Sequence, residues 1–214
     1  MRVLIACECS GTVRDAFNEL GHDAWSCDLQ ASKQASKHIQ GDVLKVLSEK
    51  FDLVIAHPPC TYLTVTGNKW FKPEYRDRFP NREKDREDAV KFFMAFTSLK
   101  HIPMVAIENP IGIMSRIFRK PDQIIHPFMF GDPASKSTCL WLKGLPKLIQ
   151  SHYDAPLFNM AVDRGEFVNY KSGKRCAKWY SEAASLSSKD RSNVRSKTFP
   201  GIAKAMAEQW GRKP

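Results

Sequence analysis

The chain has 214 residues, of which 43% are hydrophobic and 26% charged, and this suits a single globular domain with a full core. Its net charge of +10 favours partners that carry phosphate, such as nucleic acids and nucleotides. No apolar run approaches the ~18 residues of a membrane span, and the N-terminus meets Glu8 and Gly11 too early for a signal peptide. The sequence therefore predicts a soluble, cytoplasmic protein.

Alternating strand and helix patterns predict an α/β fold, with a mostly parallel sheet and helices on both faces. "RVLIAC" is typical of a buried first strand, and the next stretch carries a helical stripe that ends at Gly21. "HDAWSCDL" predicts a second strand, "KHIQGDV" a short third element, and "FDLVIA" the strand that leads into Cys60.

The second half of the chain continues the alternation. After a long polar connection, Ala89, Phe92, Phe93 and Phe96 repeat the helical spacing. "MVAIENP" and "STCLWLKGLP" predict two further strands, and the spacing of Ile202, Ala205 and Met206 predicts a final helix. We interpret residues 1–214 as one domain, with a small basic insertion at 145–190 before the last helix.

The six cysteines lie in apolar or strand-like contexts, which in a reducing compartment indicates free thiols. The closest pair, Cys7 and Cys9, has one residue between the thiols, where structural zinc sites have about two to four. No second pair follows, so the sequence predicts no metal site.

Polar residues follow several of the predicted strands. "CECSG" follows the first, Asp28 ends the second, Asp42 follows the third, and "PPC" and "EN" follow the next two. Ligands of parallel sheets bind at the carboxyl ends of the strands, so we expect these residues to line one cleft. An acid after the second strand suits ribose hydroxyls, and Ser10-Gly11 before a helix lets the backbone approach a ligand.

The order of these motifs resembles that of the cytosine C5 methyltransferases. The corresponding stretches read "LIACECSG", "CDL", "GDV", "HPPCTYLT", "AIENP" and "SKTFPGIAKAMAEQWG". The match is closer still to short phage-type members that carry "FGDPASKSTCLWLKGLP", and it covers nearly the whole chain. It implies a Rossmann-like methyltransferase fold, with S-adenosylmethionine as the cofactor and S-adenosylhomocysteine as its product.

The chemistry of cytosine explains why the PPC and ENP motifs belong together. C5 is a poor nucleophile until a thiolate adds to C6, and the resemblance gives this role to Cys60. The addition needs a proton donor at N3, for which Glu108 is the candidate, and burial is expected to raise its pKa. By resemblance, Pro59 orients the base, and Asn109 and Pro110 shape the turn that aims Glu108. A base must finally remove the C5 proton, and no residue is assigned to that step.

The resemblance also implies the cofactor contacts, with Asp28 at the ribose and Asp42 near the adenine amino group. The full set is Glu8, Cys9, Ser10, Gly11, Asp28, Leu29, Asp42, Val43, His57, Pro58 and Thr198. Three residues depart from the family pattern. His57 replaces a small glycine, Pro110 replaces the commonest valine, and Glu8 interrupts a glycine-rich turn.

The family's arginine-bearing strand, which holds the cytosine O2, is replaced here by "SKSTCLWLKG". We assign the positive charge to Lys136, with Arg116 and Arg119 as further candidates, and we expect Lys143 to face water.

Three hypotheses for the function stay open. The family favours cytosine in DNA, whereas the short insertion at 145–190 favours a free cytidine nucleotide such as CMP or dCMP. A non-catalytic nucleic-acid-binding protein with a methyltransferase-like fold is the third. An amino methyltransferase is disfavoured, because "HPPC" lacks the amide and the aromatic residue that such a loop needs.

Overall fold

A computed structural model describes residues 1–32, 37–154 and 161–212. The strands are β1 (Arg2–Ala6), β2 (Asp23–Asp28), β3 (His38–Gln40), β4 (Leu53–Ala56), β5 (Met104–Pro110), β6 (Gln123–Ile125), β7 (Thr138–Lys143), β8 (Phe167–Asn169) and β9 (Arg175–Ala177). The helices are α1 (Thr12–Glu19), α2 (Arg82–Thr97), α3 (Met114–Ile117), α4 (Lys178–Glu182), α5 (Ser188–Ser196) and α6 (Pro200–Trp210). Short 3₁₀ segments connect several of them.

Seven strands form one sheet in the order β3-β2-β1-β4-β5-β7-β6. Strands β1 to β5 are parallel, β7 is antiparallel to β5, and β6 is antiparallel to β7. The predicted Rossmann-like α/β fold with a mostly parallel sheet is therefore confirmed. The strand order reverses between β1 and β4, and such a switch point opens a crevice at the carboxyl ends of the two strands.

The sheet is buried on both faces, which explains the continuous apolar run of β1. On one face, Leu4 and Ala6 belong to a core cluster that includes Phe93 and Phe96 of α2. On the other face, Val3 and Ile5 belong to a cluster built with α1 and α6. Helices on both faces, as predicted, enclose the sheet.

Helix α6 fixes the position of the last segment of the chain. It packs on α1, and its C-terminal Gly211 lies against His22, which precedes β2. The N-terminus of α6 therefore lies at the same edge of the sheet as the N-terminus of α1. This is the carboxyl edge, and Thr198 and Phe199 lie beside it.

A small unit lies largely within the predicted insertion and extends to residue 196. Strands β8 and β9 form an antiparallel hairpin, and α4 and α5 follow it. We call residues 161–196 the appendage; residues 155–160 of the predicted insertion lie outside the described part of the chain. Among the described residues, no helix has the length and apolar character needed to cross a bilayer.

Candidate active site

The loops after β1 and β4 flank the switch point of the sheet. His57 continues β4 by donating its backbone N–H to the carbonyl of Ala6 at 2.9 Å. Cys7, directly after β1, donates its backbone N–H to Cys27 at 2.7 Å and has a φ of 60°. That conformation is uncommon for a residue with a side chain and marks a sharp turn at the end of the strand.

Glu8 shapes this turn through its carboxylate. Its side chain is buried, and one oxygen accepts hydrogen bonds from the Val13 N–H at 2.8 Å and the Ser10 hydroxyl at 3.0 Å. The other accepts from the Arg14 N–H at 3.3 Å. Glu8 thus caps the first turn of α1, where a glycine-rich loop would leave the N–H groups to a ligand. The cofactor contact predicted for Glu8 therefore remains a proposal for its main chain.

Two carboxylates lie together at the ends of β2 and β3. The Asp28 carbonyl accepts the N–H of Gly41, and the Asp42 carboxylate accepts the N–H of Leu44 at 3.0 Å. Burial, with the charges of Asp28 and Asp42, raises the pKa of the Cys27 thiol to about 11. Burial, Asp28, the Cys27 thiol and Asp42 together raise the pKa of Cys7 well above its ordinary value. These effects place both acids near Cys7, which follows β1, and near Cys27 of β2.

The other residues predicted to contact the cofactor differ in how exposed they are to solvent. Leu29 is 74% exposed beside Asp28, whereas Val43 is buried in the core. Pro58 is buried, and Cys9, Ser10 and Thr198 are half-buried. The apolar surface offered at this edge is therefore Leu29 rather than Val43.

The PPC loop and the end of β5 are joined by side-chain hydrogen bonds. His57 Nδ1 lies 3.1 Å from Glu108 Oε2, and the Asn109 amide donates to the carbonyl of Pro58 at 2.7 Å. Both bonds connect residues 51 positions apart in sequence. The two motifs thus form one unit, as the sequence predicted for neighbouring parallel strands.

Backbone pairing extends this unit beyond Cys60. Thr64 and Gly112 form an isolated bridge, and the Ile113 N–H donates to the Leu63 carbonyl at 2.9 Å. Gly112 lies so close to Leu63 that a Cβ there would overlap its carbonyl oxygen.

We expect Gly112→Ala to separate the two segments, because backbone cannot move aside as a flexible side chain can. Overpacking of this kind costs about 1–3 kcal/mol, so the thermal unfolding temperature should fall. Gly41→Ala is the matched control, since a Cβ at Gly41 meets nothing within 4 Å. Calorimetry of both variants checks the prediction, and an unchanged unfolding temperature for Gly112→Ala would contradict the observed pairing.

Cys60 is half-buried, and charges of both signs act on its thiol. Burial and the Glu108 carboxylate raise its pKa above the ordinary value, while the Lys136 ammonium and its own backbone N–H act in the lowering direction. Cys60 is therefore a neutral thiol in the ligand-free protein, and it needs a base before it can attack.

The pKa of Glu108 is shifted in the opposite direction, below its ordinary value. Burial raises its pKa, but the His57 hydrogen bond, the Lys136 charge and a Thr138 hydrogen bond together lower it below the ordinary value. The raised pKa that burial alone predicted is wrong, because three partners stabilise the carboxylate. Glu108 is therefore ionised near neutral pH.

The structure distinguishes among the three cations proposed for the cytosine O2. Lys136 is half-buried, its charge acts on both Cys60 and Glu108, and no ion pair engages it within the described residues. Arg119 is instead bound to Asp122 at 2.7 Å and to the Leu142 carbonyl at 3.2 Å. Arg116 is exposed on α3. Of these three cations, only Lys136 is shown to act electrostatically on both Cys60 and Glu108.

Lys143 is exposed at the end of β7, as predicted. Its ammonium also donates to the carbonyls of Leu99 and Ile102, at 2.7 and 2.8 Å. It thereby fixes the end of α2 against the sheet.

Two arginines that sequence reasoning missed anchor the segment after Cys60. Arg86 donates to the Tyr62 carbonyl at 3.0 Å, and its guanidinium lies 3.3 Å from the centroid of the Phe71 ring. Arg82 lies over Tyr62 and Phe71. The i, i+4 spacing of the two arginines on a helix is the signal that could have indicated this contact.

Neither a protein-family model nor a curated protein matches this chain. Among solved structures, one match is a prophage-encoded E. coli protein that is provisionally assigned as a DNA modification methyltransferase. The two are 15% identical with a TM-score of 0.44, over 72% of this chain and 52% of that one. The chain thus spans about half the length of that protein. Within the described residues, no group of three or more His, Cys, Asp or Glu side chains is placed to hold a metal ion.

Proposed function

We propose that this protein transfers a methyl group from S-adenosylmethionine to C5 of cytosine in DNA, through a covalent bond between Cys60 and C6. The observation that carries the proposal is the joined unit of the PPC loop and β5. It holds Glu108 against His57 at 3.1 Å and places Cys60 within the field of Glu108 and Lys136. Thiol, carboxylate and ammonium are the three groups that the addition to cytosine requires.

The charge states of the ligand-free site suggest the order of the first proton transfers. Cys60 begins as a thiol and Glu108 as a carboxylate, because their pKa values are raised and lowered respectively. Glu108 takes the thiol proton as sulfur attacks C6, and it then gives that proton to N3. Lys136 balances negative charge at O2 during the addition.

The cofactor-binding residues fit a nucleoside at the switch point. Asp28 would accept from the ribose hydroxyls and Asp42 from the adenine amino group, with the exposed Leu29 side chain beside the ring. The turn Cys9–Gly11 and Thr198 would border the remainder of the molecule at the same edge. When bound, S-adenosylmethionine supplies an electrophilic methyl group.

The position of the appendage favours DNA over a free nucleotide. The Ser135 hydroxyl, next to Lys136, donates to the Arg164 carbonyl at 2.9 Å, and Trp179 packs on Phe199 with the ring centroids 5.6 Å apart. Both contacts hold the appendage at the carboxyl edge. The segment from 164 to 197 carries nine basic residues against three acids, Glu166, Glu182 and Asp190. A basic unit beside the target pocket suits a polyanion that extends beyond one nucleotide.

A groove in the appendage supports the same substrate. It has a volume of about 350 Å³, and its wall includes Lys174, Arg195, Tyr180 and Ser181 but no carboxylate. The Arg195 guanidinium stacks on Tyr180 at 3.7 Å. Cations, hydroxyls and an aromatic face together suit a nucleotide next to the target.

The substrate is tested with tritiated S-adenosylmethionine and a panel of acceptors. We expect label at C5 of cytosine in duplex or single-stranded DNA, and none in RNA, CMP, dCMP or the triphosphates. Labelling of dCMP or CMP alone would instead establish the free-nucleotide alternative. No labelling of any acceptor, combined with binding of DNA, would establish the non-catalytic alternative.

A further inference from the structure

We infer that His57 is the base that removes the C5 proton after methyl transfer, a step for which the resemblance offers no residue at this position. The inference rests on the proposed function and adds a catalytic group to it. His57 stands where the family has glycine, so its imidazole is a feature of this chain rather than of the general pattern.

The imidazole of His57 is almost enclosed, and only one of its two nitrogens is satisfied. The side chain is 9% exposed, and Nδ1 lies 3.1 Å from Glu108 Oε2. Among the polar atoms of the described residues, His57 Nε2 is buried and has no hydrogen-bond partner. A buried polar atom without a partner is costly, so a site that retains one is expected to use it with a ligand.

The bond to Glu108 determines which nitrogen carries the proton. A carboxylate can only accept a hydrogen bond, so Nδ1 is the donor, and in the neutral imidazole Nε2 presents its lone pair. In the Ser-His-Asp triad, a carboxylate holds a histidine in the tautomer that acts as a base, and it stabilises the imidazolium that forms. His57 and Glu108 reproduce that arrangement.

The proposed role of Glu108 brings the base close to the proton. Glu108 serves N3 of the cytosine, and C5 is separated from N3 only by C4. Nε2 lies across the imidazole ring from the nitrogen that bonds this carboxylate. Cys60, which bonds to the neighbouring C6, follows His57 by three residues in the same loop.

The proton and electron balance closes with this assignment. His57 Nε2 takes the C5 proton, the C5–H electron pair forms the C5–C6 double bond, and the C6–S bond breaks to release the Cys60 thiolate. The proton on N3 returns through Glu108 to the thiolate. The Glu108 carboxylate then faces the His57 imidazolium until the imidazolium loses its proton to water.

The test uses His57→Asn, whose amide can replace the Nδ1 donor but offers nothing at Nε2. With DNA carrying tritium at cytosine C5, we expect this variant to form the Cys60 adduct and to accept the methyl group. We expect tritium release to fall about 10²–10⁴-fold, the usual contribution of a general base. The methylated adduct should then accumulate on denaturing gels, and mass spectrometry should locate it on Cys60.

His57→Ala with added imidazole gives the second measurement, since the small side chain leaves room for a diffusible base. We expect imidazole to accelerate tritium release by this variant and not by the wild type. Turnover of His57→Asn within about threefold of the wild type would overturn the inference, as would loss of its adduct together with its turnover. Failure of the wild type to form an adduct with 5-fluorocytosine DNA would instead overturn the proposed function itself.

Discussion

Cys60→Ala is expected to abolish methylation, with a loss of at least about 10⁴-fold in kcat, because the proposed reaction activates C5 through a bond from this thiol to C6. S-adenosylmethionine should still bind, since the proposed cofactor contacts come from the loop after β1 and from the ends of β2 and β3. Release of tritium from cytosine C5 measures the activity, and titration calorimetry measures cofactor binding.

Cys60→Ser separates the thiol chemistry from the shape of the loop. Serine keeps the branching of the side chain, with oxygen in place of sulfur, but is a much weaker nucleophile at neutral pH, so it should be nearly as inactive as alanine. Neither variant should be trapped by DNA that contains 5-fluorocytosine, whereas the wild type should form a stable adduct. Methylation by Cys60→Ala at more than about a hundredth of the wild-type rate would exclude the covalent scheme.

The central strands could be predicted because their amino-acid sequences are typical of buried strands. "RVLIA", "LVIA" and "MVAIENP" are continuous apolar runs, which is what a parallel sheet covered on both faces requires. The meeting of the PPC and ENP motifs followed from the same reasoning. Carboxyl ends of adjacent parallel strands share one edge, and β4 and β5 are adjacent.

Helix α2 shows where the hydrophobic pattern stops being informative. The apolar stripe indicates a helix from Ala89, but the helix begins at Arg82. Its first two turns are mostly charged and carry the arginines that contact Tyr62 and Phe71. A contact between a cation and an aromatic ring leaves no apolar periodicity, so pattern reasoning assigned this stretch to a connection.

The electrostatics of the site could not be predicted from residue types alone. Burial by itself would raise the pKa of Glu108, and only the positions of His57, Thr138 and Lys136 reverse the direction. Likewise, Arg119 and Lys136 are both cations near β7 in sequence, but Asp122 engages one and not the other. A local sequence does not specify which partner a long side chain finds.

The two shifted pKa values describe one resting state with a proton on sulfur and none on the carboxylate. The Glu108 carboxylate favours that state at Cys60, because its charge raises the pKa of the thiol. In the proposed reaction, activation therefore requires that the proton move from Cys60 towards Glu108 and N3. A cytosine ring bound between them would provide both the acceptor for the proton and the electrophile for sulfur.

Glu108→Gln is expected to lower the rate of methylation and to raise the reactivity of the Cys60 thiol. Glutamine cannot protonate N3, so methylation should fall by about 10²–10⁴-fold. The Cys60 thiol should nevertheless become more reactive towards iodoacetamide at neutral pH, because loss of the negative charge lowers its pKa. The alkylation rate follows the thiolate fraction, because the thiolate is the nucleophile. Peptide mapping by mass spectrometry assigns the alkylation rate to Cys60.

Lys136→Met provides the opposite change at the same thiol, since loss of the positive charge raises the pKa of Cys60. Alkylation should then be slower than in the wild type, while Lys100→Met, which lies before β5 at the far edge of the sheet, should leave it unchanged. Opposite shifts from Glu108 and Lys136 would mean that both charges reach the sulfur. If neither variant alters the alkylation rate of Cys60, the three groups do not share one field, and the proton path from thiol to carboxylate to N3 fails with it.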